Sequence, residues 1–342
     1  MLSNLKQKIA IGTLLLSTIC IPTSAEKRTV EADGEYVIGY AFEESFAVAS
    51  ERARADALRN ASEQAGVFVE GISEVENLVL TRDQVRTISS NVLQVQGEPK
   101  IWMETIEDGK SARIRCHVVA IVDDDNIAST LQGDLGKLDE AVQKYKKLED
   151  ENAKLIAELE ELKNKFNKSQ NDVERREIIE QVKINDNQFL ANRALEDGNR
   201  NYYQNKFDAA ILDYERALNF DSNYADAYYN IGEANYMLQK YTASVTAYQN
   251  ATRLNPRFDD AFYNLGISYS ALKNYQSAID SYQRAIEINP NYSKAYNNMG
   301  AAYENLEQYD RALQCFNRAL EIDPNFEIAR ENRDELLRWM RS

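Results

Sequence analysis

The most constraining feature of this sequence is a pattern that recurs every 34 residues over residues 191–326. Glycine stands at the eighth position of each unit, as Gly198, Gly232, Gly266 and Gly300, with alanine and aromatic residues at fixed distances behind it. A fixed period of this length is typical of a solenoid, in which each unit buries its apolar face against its neighbours. The four contiguous units are residues 191–224, 225–258, 259–292 and 293–326.

The repeated positions resemble the eight signature positions of tetratricopeptide repeats (TPRs). The third unit matches all eight in type, with Phe262, Leu265, Gly266, Tyr269, Ala278, Tyr282, Ala285 and Pro290, and so does the fourth, with Tyr296, Met299, Gly300, Tyr303, Ala312, Phe316, Ala319 and Pro324. The second unit departs at Asn235 and Ser244. The first departs at Asp197, Asn201 and Ser222, as expected of a terminal repeat that packs on one side only.

The resemblance implies a right-handed α-solenoid of four helix pairs at 191–326, with a capping helix at 327–342. Partners of this family bind in the concave face, which is lined by the first helix of each repeat. The resemblance therefore assigns the following candidate partner-binding residues to the concave face: Asn199, Tyr202, Asp226, Tyr229, Glu233, Tyr236, Tyr263, Ile267, Lys294, Asn297 and Glu304.

The chemistry of these candidate residues indicates the kind of partner. Tyrosine offers a large contact area at low cost in conformational entropy, and carboxylates prefer cations. We therefore expect a protein or peptide segment with apolar or basic side chains. Chaperone-binding members of the family hold a partner's terminal carboxylate with several basic residues, whereas only Lys294 is basic here, so that function is not expected.

Residues 131–175 are predicted to form a coiled coil, followed by a helical linker at 176–190. The apolar heptad positions a and d can be assigned without interruption: Leu138, Tyr145, Asn152, Leu159 and Phe166 at a, and Ala141, Leu148, Leu155 and Leu162 at d. A helix of about 33 residues is about 50 Å long. We expect it to hold the two end units apart.

Asn152 is the dimer-specifying residue of this prediction. A buried asparagine at an a position is costly unless it pairs with its counterpart, so it commonly fixes a parallel dimer in register. Lys144 with Glu149, and Glu158 with Lys163, are attractive pairs in the same arrangement. A homodimer through the coiled coil is therefore predicted. The alternative is a single helix that lies on its own protein.

Residues 26–130 are predicted to form a small α+β domain. Residues 29–42 are rich in β-formers, and a helix over 44–65 has alanine at every fourth position before a C-terminal Gly66. A second helix starts after Thr81 as N-cap, and a final strand alternates around Cys116 on its inner face.

Two stretches of this domain, ARADALRNASEQAGVFV at 53–69 and TRDQVRTIS at 81–89, resemble the N-terminal domain of envelope proteins of the LPP20 lipoprotein and flagellar FlgT type. The resemblance implies an envelope location and a role in assembly or support, and it brings no catalytic residues.

Residues 1–25 are predicted to be a signal peptide. Lys6 and Lys8 precede an apolar stretch over 9–21, and Thr-Ser-Ala at 23–25 fits a cleavage site. The apolar stretch is shorter than a transmembrane helix requires, so no transmembrane span is expected in the mature chain. Cys20 follows an isoleucine, which disfavours lipidation. The predicted location is periplasmic or secreted, in a bacterial cell envelope.

Composition excludes several classes of function. The chain has a formal net charge of −15, so nucleic acid is not an expected partner. The few glycines and prolines, 13 and 5, favour helices, and the predicted fold class is mainly α. His117 is the single histidine, and no phosphate-binding glycine loop is present. We therefore expect no enzyme, no cofactor and no metal site.

Two functions remain at this point. The first is an exported protein–protein interaction scaffold that binds a partner segment in the concave TPR groove. The second is a structural envelope component, associated with the cell wall, outer membrane or flagellum, in which the N-terminal domain does the principal binding and the repeats are a spacer.

Overall fold

The computed structural model describes residues 27–39, 45–75, 80–106, 111–123, 125, 127 and 135–341. The predicted signal peptide lies outside these residues. None of the described helices is long and apolar enough to cross a membrane. The N-terminal unit contains β1 (Lys27–Gly39), α1 (Phe46–Val75), α2 (Arg82–Val92), β2 (Gln94–Val95), β3 (Lys100–Thr105) and β4 (Ser111–Asp123).

The rest of the chain is helical. Two long helices, α3 (Leu135–Lys168) and α4 (Asp172–Tyr203), are followed by α5 (Phe207–Phe220), α6 (Ala225–Met237), α7 (Tyr241–Leu254), α8 (Asp259–Ala271), α9 (Tyr275–Ile288), α10 (Ser293–Asn305), α11 (Tyr309–Ile322) and α12 (Glu327–Arg341). The predicted fold class, mainly α with a small N-terminal α+β region and a series of paired helices, is confirmed.

The N-terminal sheet packs one face on α1. β4 is its central strand and pairs antiparallel with β1 on one side and with β2 and β3 on the other. The predicted alanine stripe of α1 is fully buried against this sheet. A Cβ on Gly34 of β1 would lie 2.1 Å from the backbone nitrogen of Ala57, so only glycine permits this approach of strand and helix. Cys116 is buried on the inner face, as predicted.

Helix α1 continues to Val75, so the prediction that it ends at Gly66 is wrong. Gly66 lies inside the helix where α2 crosses it, and a Cβ there would contact Val85 at 3.5 Å. The glycine serves helix packing rather than helix termination. Thr81 caps α2 as predicted: its hydroxyl accepts a hydrogen bond from the Gln84 backbone, and the Gln84 side chain accepts one from the Thr81 backbone.

The heptad helix α3 packs along α4 of the same chain. The chain turns at 169–171, where the Asn171 side chain caps α4. Three seam residues of α3, Leu159, Leu162 and Phe166, are buried with Ile178 and Val182 of α4. The seam that the heptad pattern predicts is therefore filled from within the chain, which corresponds to the alternative of a helix lying on its own protein.

Asn152 finds its partner within the chain too. Its side-chain oxygen accepts a hydrogen bond of 2.9 Å from Asn192 of α4. The asparagine that we assigned to a dimer interface therefore has a hydrogen-bond partner in its own subunit, and its role in specifying a dimer stays a prediction. The homodimer through the coiled coil is not shown and stays a prediction.

The N-terminal unit lies directly on α4, so the prediction that the long helix holds the end units apart is wrong. Arg52 of α1 forms a buried ion pair of 2.8 Å with Asp186 and lies 4.6 Å from the centre of the Phe189 ring. At the other end of the contact, the Gln204 side chain donates to the backbone oxygens of Asn91 and Leu93. Helix α4 also runs without a break through the predicted linker at 176–190 into the first repeat.

The four repeats are built alike. In each helix pair a signature glycine faces a buried ring, and a Cβ on Gly266 would lie 2.5 Å from the Tyr282 ring. Between the two helices of each pair one residue adopts a left-handed backbone: Asn205, Gln239, Lys273 and Glu307, with φ of 58° or 59°. After the last pair, α12 buries Leu336 against Ala312 and Phe316.

Candidate functional site: the concave groove and helix α3

The first helices of the repeats, α4, α6, α8 and α10, form one wall of a cavity of about 560 Å³, and α3 forms the opposite wall. Six of the predicted partner-binding residues line this cavity: Asn199, Asp226, Tyr229, Glu233, Tyr263 and Lys294. The repeats contribute also Leu195, Tyr224, Asn230, Phe258, Asp260, Asn264 and Tyr292, and α3 contributes Glu140, Gln143, Lys144, Lys147, Leu148 and Glu151.

Lys144 of α3 enters the groove and contacts Glu233 there. Its ammonium group lies 2.9 Å from a carboxylate oxygen of Glu233 and 3.0 Å from one of Glu140. It also lies 5.2 Å from the centre of the Tyr229 ring, within cation–π distance. Burial alone would lower the pKa of Lys144, but Glu233, Tyr203 and Glu140 together outweigh it, and the pKa lies well above its ordinary value. The lysine is therefore charged in the groove.

Glu233 is the carboxylate that receives this lysine. Burial raises its pKa above the ordinary value, and the opposing attraction of Lys144 only partly compensates. The hydroxyl of Tyr229 donates a further hydrogen bond to Glu233 at 3.3 Å. A buried carboxylate of this kind needs a cation beside it to remain charged.

Lys147 extends the contact by one helical turn. It lies 2.5 Å from Asp226, the first acidic residue of α6. Residues three apart share one face of a helix, so Lys144 and Lys147 point into the groove together. Glu151, a further turn along, has its pKa raised by burial. Helix α6 of repeat 2 thus already binds two lysines of its own chain.

Amide side chains link the tyrosines of neighbouring repeats. Asn264 donates to the hydroxyl of Tyr229 at 2.9 Å, and Asn298 donates to that of Tyr263 at 3.1 Å. At the end of the solenoid, Asn332 of α12 donates a hydrogen bond of 2.9 Å to the side-chain oxygen of Asn297. These bonds fix the tyrosine rings across repeats, which leaves a pre-formed aromatic wall.

Five predicted residues do not line the cavity. Tyr202 packs edge-on against Tyr203 and Phe207, and Tyr236 packs against Tyr241. Ile267 is half-buried in the core of repeats 3 and 4. Asn297 is buried under α12. Glu304 lies near Glu335. Burial is the larger cause that raises the pKa of Glu304, and the like charge of Glu335 is the smaller one.

The residues that sequence reasoning missed include the recurrent aromatic residues Tyr224, Phe258 and Tyr292, three recurrent asparagines and the residues of α3. The recurrent asparagines 230, 264 and 298 stand 34 residues apart, so the period itself carried a signal for them. The α3 residues had no such signal, because nothing in the heptad pattern indicates that its polar face enters the groove.

Two family models match the repeat region. The model described as Tetratricopeptide repeat matches residues 259–292 and 293–326, and the model described as TPR repeat matches residues 198–239 and 236–273. The C-terminal half of the chain therefore consists of tetratricopeptide repeats, the building blocks of protein–protein interaction scaffolds that are typically non-catalytic. Neither model covers the N-terminal unit, whose resemblance to the LPP20 and FlgT type stays a prediction.

Several solved structures are similar to this chain. The crystal structure of MamA is 26% identical and covers 46% of this chain and 97% of its own, with a TM-score of 0.39. YrrB, titled a TPR protein with an unusual peptide-binding site, is 20% identical over 53% of this chain and 88% of its own, with a TM-score of 0.40. The first TPR of Spaghetti (RPAP3), bound to the HSP90 peptide SRMEEVD, is 25% identical over 36% of this chain and 97% of its own, with a TM-score of 0.35. None of the curated proteins matches the sequence.

Proposed function

We propose that this chain is an exported scaffold that holds a basic and apolar segment of a partner protein in the cavity between α3 and repeats 2 to 4. The observation that carries the proposal is the way in which the groove holds its own helix. Lys144 and Lys147 are bound there by Glu233, Asp226 and the Tyr229 ring. The same surface chemistry continues beyond the end of that contact.

The open part of the cavity offers carboxylates and rings at similar spacing. Asp260 stands one repeat after Asp226 and accepts a 2.6 Å hydrogen bond from Tyr292. Tyr263 packs 4.8 Å from the Tyr292 ring, ring centre to ring centre. A lysine or arginine of a partner would meet Asp260 here, and apolar side chains would contact the rings.

A binding titration on the full chain tests the proposal. The probe is a labelled peptide in which lysine alternates with leucine, and its control has glutamate in place of each lysine. We expect the lysine peptide to bind at least about ten-fold more tightly, and Asp260→Asn or Tyr263→Ala to weaken it about ten-fold.

The matched control variant is Leu212→Ala. Leu212 is 67% exposed on α5 and does not line the cavity, so its loss should leave the affinity unchanged. Equal binding of the two peptides, or an affinity that Asp260→Asn and Tyr263→Ala do not alter, would contradict the proposed groove.

Export to the cell envelope is the second part of the proposal, and the pattern at residues 1–25 supports it. Residues 1–40 fused to alkaline phosphatase, which is active only after export, should give an active enzyme in a bacterial host. Replacing the apolar residues Leu14, Leu15 and Leu16 by aspartate should abolish that activity. An inactive unmodified fusion that is expressed in full would refute export and leave the groove proposal untouched.

A further inference from the structure

An unusual strand stands at the edge of the N-terminal sheet. All six residues of β3 are exposed, and three of them are large and apolar: Ile101 at 38%, Trp102 at 39% and Met103 at 52%. Within the described part of the sheet, β3 pairs with β4 on one side only. An exposed apolar edge of this kind is a template for pairing with another strand.

The direction of the backbone groups of β3 follows from its pairing with β4. The nitrogen of Ile106 donates to the oxygen of Ser111 at 3.1 Å, which makes these two residues a hydrogen-bonded pair. Residues of an antiparallel strand alternate between facing the neighbour and facing away. Ile101, Met103 and Thr105 therefore direct their N–H and C=O groups to the open edge.

The sequence of β3 complements itself about its third residue. If two copies of β3 align antiparallel with Trp102 opposite Trp102, Ile101 faces Met103 of the second copy and the two exchange backbone hydrogen bonds. In the same alignment Lys100 faces Glu104 of the second copy at two symmetric positions, where it would join Arg115 of that copy, which lies 3.2 Å from Glu104. An axis at Glu104 would instead set two carboxylates opposite each other, which is unfavourable.

We propose that a second copy of this chain docks on β3, with a two-fold axis through Trp102, to form a continuous sheet across the dimer. A two-fold interface of this kind uses the same patch on both subunits and closes after two. It covers the apolar side chains of β3. It also differs from the predicted coiled-coil dimer, whose seam is occupied by α4.

Charge reversal tests the register. Light scattering on the full chain should show a concentration-dependent dimer. Lys100→Glu places glutamate opposite Glu104 at both pairs, so we expect the dissociation constant to rise about ten-fold. The double change Lys100→Glu with Glu104→Lys restores opposite charges and should restore the dimer. Glu31→Lys, an exposed reversal on β1 at the other edge of the sheet, is the control and should have no effect.

Cysteine crosslinking locates the axis. In a non-hydrogen-bonded antiparallel pair the Cα atoms lie about 4.5 Å apart, within disulfide range. Trp102→Cys should therefore crosslink the two copies on mild oxidation. Thr105→Cys, about 20 Å from its counterpart in this register, should not.

Two results would overturn the proposal. One is a full chain that stays monomeric at the highest soluble concentration, in which case Lys100 acts as a charge that blocks edge pairing. The other is a dimer that Lys100→Glu leaves intact and that Trp102→Cys does not crosslink. A dimer lost in Asn152→Ala, with both β3 results negative, would restore the coiled-coil interface instead.

Discussion

Repeats 1 and 2 have the same internal packing as repeats 3 and 4, but their surroundings differ. The glycine-to-ring contact and the left-handed residue recur in all four. On the concave face of repeat 2, Glu233 and Asp226 bind Lys144 and Lys147 of α3, whereas repeats 3 and 4 contribute Tyr263 and Lys294 to the same cavity. The period therefore fixes how a repeat folds, and the elements before it decide which part of the groove is available.

The same comparison explains the atypical residues of repeat 1. Asp197 departs from the signature. We had expected this of a terminal repeat that packs on one side only, but repeat 1 packs on both sides. Asp197 lies 3.3 Å from Arg54 of the N-terminal unit, 2.9 Å from Arg200 and 2.8 Å from Arg216. The residue that departs from the signature, Asp197, therefore joins the N-terminal unit to the solenoid.

Loss of this carboxylate should have the largest effect on stability. Asp197→Ala removes the buried carboxylate that Arg54, Arg200 and Arg216 share and should lower the free energy of unfolding by about 3 to 5 kcal/mol. Denaturant titration of the full chain measures it. Asp208→Ala removes an exposed pair with Lys240 and should cost at most about 1 kcal/mol. Equal costs for the two variants would contradict the joining role of Asp197.

Packing inside the helix pairs should be equally strict in both halves of the solenoid. Gly266→Ala forces a methyl group into the Tyr282 ring, and Gly198→Ala does the same at Tyr214. Each should lower the free energy of unfolding by about 1 to 3 kcal/mol. The measurement is again denaturant titration. A much smaller loss of unfolding free energy for Gly198→Ala would show that repeat 1 is loosely packed despite its contacts with the N-terminal unit.

Low pH should distinguish repeats 1 and 2, which contain Asp197, from repeats 3 and 4. The burial of Asp197 would raise its pKa, but Arg200, Arg54, Arg193 and Arg216 together hold it far below the ordinary value. Because the pKa is lower in the folded state, the carboxylate stabilises the fold above the unfolded pKa of about 3.9, and this contribution is lost as the pH falls below it. The loss should approach about 1.4 kcal/mol per pH unit.

Asp197→Asn is the variant that isolates this titration. It should be less stable than the parent at neutral pH and should lack the decline assigned to Asp197 below about pH 4, as measured by urea titration at a series of pH values. An unchanged acid decline in Asp197→Asn would assign it to other carboxylates.

The sequence predicted the repeats well because each one is stabilised by local contacts that recur with the period. The sequence predicted the apolar heptad seam of α3 but not that α4 packs on it. A heptad seam requires a facing helix with apolar residues, but it does not indicate whether that helix belongs to the same chain or to a second copy. A second apolar pattern was present in α4, where Ile178, Val182 and Phe189 follow helical spacing and are buried. The polar contacts of α3 in the groove depend on the fold of both helices, so no local pattern could indicate them.

The smallest expected effect concerns the left-handed residues between paired helices. Gln239 and Asn205 occupy the same position of neighbouring repeats with φ of 58°. Glycine adopts this conformation without steric cost, whereas glutamine is disfavoured and asparagine is better tolerated. Gln239→Gly should therefore raise the free energy of unfolding by up to about 1 kcal/mol, and Asn205→Gly by less, both measured by denaturant titration. A larger gain at Asn205 would mean that the strain is set by the surroundings of repeat 1 and not by the backbone angle that the repeats share.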